Sequence, residues 1–328
     1  MTKHIEDRIG RVERGVTRRL AGMTRRRFGV ALAAAWLVAA PAGAQDYGDT
    51  PYVQTPQNVV DKMLEVAKVG PKDFVIDLGS GDGRMIITAA KKHGARGFGV
   101  DLDRRLVALS NRLAAKAGVA DRAVFYERDI YQTDVSPASV VTIYLLPEVN
   151  LMMRPTLLSK LKPGTRVVSH DYDMGEWPPD LSFTMDAPGK PVGRDQKSKV
   201  FYWVVPARVA GRWMWHSAGD GGRKQAYELA LTQNFQKVEG TLTANGKSVP
   251  IEDAKLVGER LTFVAKLGAA GARHEFDGRV LNNALDGAVR IAREGAPARS
   301  QSWSAARAEL WQPRHFTLPP PTLVAPPQ

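Results

Sequence analysis

Three aspartates and a run of glycines hold the residues with the clearest chemistry. Phe74-Val75-Ile76-Asp77-Leu78-Gly79-Ser80-Gly81-Asp82-Gly83-Arg84 is an apolar run that ends in an acid and opens into glycines at alternate positions. It predicts a buried strand turning into a helix. Glycines let the backbone approach a ligand closely, and the start of a helix aims unpaired N–H groups at whatever fills the turn. Asp101 closes a second apolar run 24 residues after Asp77, near the spacing at which an acid meets a ribose hydroxyl. Asp129-Ile130 closes a third, where a carboxylate and an apolar side chain suit the amino edge and the face of an adenine. Each acid taken singly reads equally well as a helix cap or a solvated loop acid. Three of them at successive strand ends favour an adenosyl pocket.

A second group lies further along. Tyr144 follows a fourth apolar run, and Ser169-His170-Asp171-Tyr172-Asp173 follows a fifth. Tyr144, His170 and Asp171 are the candidate catalytic residues, with His170 as the conceivable base. The plainer reading makes Tyr144 strand-end packing and the acids turn residues leading to Met174-Gly175-Glu176.

The elements that position these residues alternate. Val59, Val60, Met63, Leu64 and Ala67 recur at helical spacing after Thr55-Pro56, which suits a helix cap followed by a first-turn proline. Strands are expected at 74–78, 96–101, 123–128, 140–146 and 166–170, with helices over 84–93, 104–117 and around 151–161. Several of these runs are almost continuously apolar, as strands are when helices cover both sheet faces. The class is therefore α/β, a doubly wound and mostly parallel sheet. From about Trp213 the texture changes to some seven short alternating segments with turn signals such as Asn245-Gly246, which predicts a small antiparallel sandwich or barrel. Trp213, Trp215 and Trp303 are expected in its core.

Composition limits the chemistry. With no cysteine there is no disulfide, thiolate metal site or catalytic thiol, and the six histidines lack ligand spacing, so no metal is expected. The net charge of +12 is lopsided: residues 1–27 hold nine Lys and Arg against three acids, and the rest of the excess is spread without a basic block. No nucleic-acid partner is expected from such a surface. Thr24-Arg25-Arg26-Arg27-Phe28, an alanine-rich apolar stretch and Pro41-Ala42-Gly43-Ala44 form the three parts of an export signal. Its paired arginines resemble the twin-arginine signal. The expected organisation is an export signal at 1–44, a nucleoside-binding domain at 45–206, a β domain at 207–312 and a Pro-rich tail at 313–328. The expected location is periplasmic, or membrane-associated through residues 28–44, although an adenosyl cofactor made in the cytoplasm keeps the cytoplasmic face open.

Asp77-x-Gly79-x-Gly81-x-Gly83, followed by Asp101 and Asp129, resembles the class I S-adenosylmethionine (SAM) methyltransferases. More narrowly, Pro51-Tyr52-Val53-x-Thr55-Pro56, the Asp77 to Arg84 loop and Gly99-Val100-Asp101 resemble the protein-lysine methyltransferases that include the mitochondrial enzyme acting on the ATP synthase c subunit. The resemblance covers about half the chain. It implies SAM as cofactor, with Gly79, Ser80 and Gly81 bordering its methionine part, Asp101 the ribose, Asp129 and Ile130 the adenine, Tyr52 and Thr55 across the mouth, and Asp77, Gly83 and Leu102 also among the cofactor-binding residues. It also implies a seven-stranded Rossmann-like sheet ending in a hairpin, which 181–186 and 200–205 can supply. A protein lysine is the implied acceptor; a small molecule, or an exported binding protein with a non-catalytic domain, are the alternatives. Many nucleobase aminomethylases carry Asn/Asp-Pro-Pro-aromatic after the fourth strand, whereas this chain has Tyr144-Leu145-Leu146-Pro147.

Overall fold

The computed structural model describes residues 52–218, 224–268 and 271–308. The export signal and the Pro-rich tail lie outside the described residues.

The glycine loop sits where the strand order reverses. Strands β1 (Phe74–Leu78), β2 (Arg96–Asp101), β3 (Ala123–Glu127), β4 (Val140–Ile143) and β5 (Arg166–His170) run parallel, and β7 (Lys197–Val204) returns antiparallel between β5 and β6 (Leu181–Asp186). The order is β3-β2-β1-β4-β5-β7-β6, so β1 has β2 on one side and β4 on the other. Ligands of such sheets bind beyond the carboxyl ends of the strands at this switch. The expected seven-stranded, mostly parallel sheet is present, with the hairpin in its place.

Both faces are covered. Helices α1 (Gln57–Val66), α2 (Arg84–His93) and α3 (Arg104–Lys116) pack Val59, Met63, Ile86 and Ala114 against Val75, Val140 and Val168. On the other face α4 (Pro147–Lys160) packs Met153 and Leu157 against Ile76, Leu78 and Ile143, with Trp177 and Trp203. Alternate residues of one strand thus serve two cores, which is why the strands read as unbroken apolar runs. Gly97 is required by the β1–β2 ladder: a Cβ there would lie 1.9 Å from the Val75 carbonyl oxygen.

Two local expectations are corrected. Pro56, not Thr55, is the N-cap of α1, and no side chain caps it; the Thr55 hydroxyl is turned to His170 instead. The C-terminal sheet has nine described strands, not seven: β8 (Gly211–Ala218), β9 (Lys224–Asn234), β10 (Lys237–Ala244), β11 (Lys247–Pro250), β12 (Glu252–Val257), β13 (Arg260–Leu267), β14 (Ala272–Leu281), β15 (Ala284–Arg293) and β16 (Ala296–Arg307). They form one antiparallel, barrel-like sheet in the order β11-β10-β9-β8-β16-β15-β14-β13-β12. Trp213, Trp215 and Trp303 are buried in its core with Phe263 and Phe276.

The two sheets are joined by packing as well as by the chain. At the β9–β10 turn Phe235 stacks on Trp177, ring centroids 6.4 Å apart, and the Gln236 side-chain amide donates to the Pro178 carbonyl at 2.6 Å. A second seam brings the backbone of Gly258 against Gly164, and the Ala207 N–H donates to the Gly258 carbonyl.

Candidate active site

Asp77 ends β1 pointing inward. Its Oδ1 accepts the Thr142 hydroxyl at 2.6 Å from the neighbouring β4. Burial pushes its carboxyl up to about 7; the Thr142 bond opposes this and the charges of Asp101 and Asp82 add to it. The next residues take the left-handed conformation at Gly79, Gly81 and Gly83, φ +77°, +53° and +80°. Their surroundings are as restrictive as their dihedrals. A Cβ on Gly79 would meet the Leu145 side chain at 2.5 Å, and one on Gly81 the Tyr52 ring at 2.5 Å. Tyr52 therefore lies against the loop from one side and Leu145 from the other.

Four N–H groups of this loop are engaged within the protein. Gly79 and Ser80 donate to the Val100 carbonyl, Gly83 to the Ser80 carbonyl, and Gly81 to Asp101 Oδ2. Three of the four are thus spent on β2 and one within the loop. A pyrophosphate would find these donors taken and three acids around it, Asp77, Asp82 and Asp101. A cationic adenosyl ligand is the better match for that field. Ser80 supplies the orphan, since its hydroxyl is buried without a partner.

Asp101, at the end of β2, accepts from Gly81 through Oδ2 and from the Asp103 N–H through Oδ1, each at 2.9 Å. An ionised carboxylate has about four acceptor positions, so one on each oxygen remains. Leu102 beside it is strongly exposed. Asp129 caps the 3-10 turn Ile130–Gln132, its Oδ1 accepting the Tyr131 N–H at 2.8 Å, and Ile130 packs on the core behind. Asp82 is held by Arg84. Burial alone would raise its pKa, but the hydrogen bonds and charge of Arg84 outweigh that and hold it low. Arg84 also donates to the Thr55 carbonyl at 2.7 Å, tying the lead-in segment to the loop.

The second candidate group assembles at the ends of β4 and β5. The Tyr144 hydroxyl donates to Asp171 Oδ2 at 3.2 Å, and its ring lies 3.9 Å from that of His170. Burial and the Asp171 charge raise the Tyr144 pKa, so it stays a phenol. His170 does not occupy the position of a substrate base. It is fully buried, Nδ1 paired with the Thr55 hydroxyl at 3.1 Å and Nε2 with the Ser198 hydroxyl at 2.8 Å. Burial lowers its pKa to about 4, with Asp171 opposing and Lys190 assisting, so it is neutral and positions the elements around it. Asp171, with φ +63°, pairs with Lys190 at 2.7 Å and takes the Lys199 N–H on Oδ1.

Thr142, Leu145 and Lys190 belong to these clusters without having been expected there. Thr142 and Leu145 flank Tyr144 at a strand end, a position that could have marked them. Lys190 lies in a loop without pattern and gave no signal.

A family model described as the ANTKMT methyltransferase domain matches residues 77–181. A protein-lysine N-methyltransferase of Saccharolobus islandicus is 48% identical over 132 residues, 39% of this chain and 81% of that protein. The chain belongs to the protein-lysine N-methyltransferase family. The human lysine N-methyltransferase of the ATP synthase c subunit is 31% identical over 130 residues, 40% of this chain and 55% of that protein, so the chain spans about half the length of such animal relatives. A crystal structure described as an RNA methyltransferase from Salinibacter ruber in complex with S-adenosyl-L-homocysteine is 48% identical, covering 48% of this chain and 96% of that one, with a TM-score of 0.43. This family member is a SAM-dependent methyltransferase.

Proposed function

We propose that the chain methylates lysine side chains of a protein. The observation that carries this reading is the 48% identity with the archaeal protein-lysine N-methyltransferase over 81% of its length. The sequence after β4 supports it: Tyr144-Leu145-Leu146-Pro147 stands where many nucleobase aminomethylases carry Asn/Asp-Pro-Pro-aromatic.

SAM supplies a methyl group on a sulfonium that leaves as a neutral thioether, so the protein's work is to place the acceptor and exclude water. Asp101 would hold the ribose, Asp129 and Ile130 would border the adenine, and Ser80 with the loop glycines would border the methionine part. Tyr52 closes over the loop. SAM bound there would supply its methyl group by in-line displacement, the sulfur keeping the electron pair of the broken bond, to a lysine amine that has already given its proton to solvent. The leader at 1–44 supports a location outside the cytoplasm.

The 48% identity with the Salinibacter ruber RNA methyltransferase favours a second reading, RNA as acceptor. Incubating the full chain with methyl-labelled SAM and, separately, protein and RNA extracts tests both. Label in hydrolysed protein as methyl-lysine supports the proposal; label confined to RNA overturns it.

A further inference from the structure

The loop between β6 and β7 is exposed at every residue from 188 to 197 except Lys190. It contains Pro188, Gly189, Pro191 and Gly193, with both glycines at positive φ. Out of this loop one lysine side chain is turned inward until it is 8% exposed. Its Nζ lies 2.7 Å from Asp171 Oδ2, and it donates to the Lys197 carbonyl at 2.6 Å.

Stability alone gives little reason for that arrangement. Taking an ammonium and a carboxylate out of water costs nearly as much as their attraction returns, and an exposed lysine would cost nothing. The carboxylate it reaches is aimed with care. The Asp171 N–H donates to the Lys199 carbonyl and Oδ1 accepts the Lys199 N–H, which holds the side chain in a left-handed backbone position. Oδ2 is thereby presented to the Tyr144 hydroxyl at 3.2 Å, with His170 Nε2 at 3.5 Å. Tyr144 directly precedes Leu145, whose side chain borders Gly79 of the cofactor loop. A lysine ammonium of the chain itself thus sits at the acceptor side of a lysine methyltransferase fold.

We propose that Asp171, flanked by Tyr144, is the seat that recognises the acceptor's alkylammonium group, and that Lys190 fills it as an internal stand-in which the substrate lysine displaces. The proposal rests on the lysine reading above and adds a specificity-determining residue and its built-in competitor. A seat already filled lowers apparent affinity by the fraction of molecules in which it is open, so removing the competitor raises affinity.

The test is a titration of the full chain with n-butylammonium, followed by NMR, with n-pentanol as an uncharged probe of similar length. Lys190→Gln is expected to bind n-butylammonium at least threefold more tightly than the parent chain, Lys190→Arg to match the parent, and Asp171→Asn/Lys190→Gln to lose at least fivefold relative to Lys190→Gln. The n-pentanol affinity stays level across the set. Thermal melting checks that each variant is folded; should Lys190→Gln unfold, Lys190→Met, which keeps the aliphatic stem, carries the same expectation. An unchanged affinity in the folded Lys190 variant, or an Asp171 change without effect, overturns the proposal. The probe reads the seat without methyl transfer, so label found only in RNA would remove the lysine function while this titration reports on the seat separately.

Discussion

The Thr142 hydroxyl donates to Asp77 Oδ1 at 2.6 Å inside the sheet, across the β1–β4 border where the strand order reverses. It is the one hydrogen bond that offsets burial of this carboxylate, and burial still wins, leaving the pKa near 7. An acid whose folded pKa lies above its ordinary 3.8 contributes stability below about pH 4 that is lost as pH rises to about 7. His170 works in the opposite sense: lowered from 6.5 to about 4, it contributes stability above about pH 6.5 that is lost as pH falls through 4. In the parent chain the two slopes oppose each other between pH 4 and 6.5. Asp77→Asn is expected to leave the His170 slope alone, so that the stability of the cofactor-free variant rises over this range and the difference from the parent grows with pH to on the order of 4 kcal/mol by pH 8. Urea denaturation at a series of pH values reads it; a constant difference across the range contradicts the assignment.

Asp101 fastens the loop and is the proposed ribose partner. Asp101→Asn removes one carboxylate oxygen and leaves the N–H of Gly81 or Asp103 without its acceptor, costing about 1–3 kcal/mol of stability. Calorimetric affinity for SAM is expected to fall at least tenfold, and an affinity within twofold of the parent would place the ribose elsewhere.

Two glycines separate structural from functional need. Gly97→Ala drives its Cβ into the Val75 carbonyl on the neighbouring strand, where only backbone can yield, and a loss of more than about 3 kcal/mol is expected, enough to prevent folding. Gly79→Ala meets only the end of the Leu145 side chain, with about 1–2 kcal/mol of left-handed strain. It should stay folded while SAM affinity drops. Soluble yield and thermal melting compare the pair, and equal stability of the two variants contradicts this account.

Much of the fold was legible because apolar patterning determines it. The β1 run, the alternation through β5 and the acids at the ends of β1, β2 and β3 all lie in continuous sequence, and the structure places them at adjoining strand ends. The missing strands had weaker patterns: β11 is four residues with little buried, and β8 was obscured because its tryptophans read as core without a strand to carry them. The Thr55–His170 pair and the Asp171–Lys190 pair were not legible, since each joins residues far apart in sequence through side-chain geometry alone. His170 illustrates the consequence. Its residue type suggested a base, and its burial between two hydroxyls assigns it to positioning.

The seam between the sheets is expected to contribute to stability. Phe235→Ala removes the ring stacked on Trp177 and lying under the Arg154 guanidinium, and a loss of about 2 kcal/mol is expected. Guanidinium denaturation followed by tryptophan fluorescence measures it; an unchanged midpoint means the turn is only laid alongside.

The central claim is transfer of a methyl group from SAM to a protein lysine through the Asp77–Asp101 site. The most direct measurement is mass spectrometry of a protein extract after incubation with the full chain and methyl-labelled SAM, with Asp101→Asn run in parallel. Labelled mono-, di- or trimethyl-lysine that falls at least tenfold with the variant is the predicted result. Label absent from lysine, or undiminished by Asp101→Asn, would contradict it.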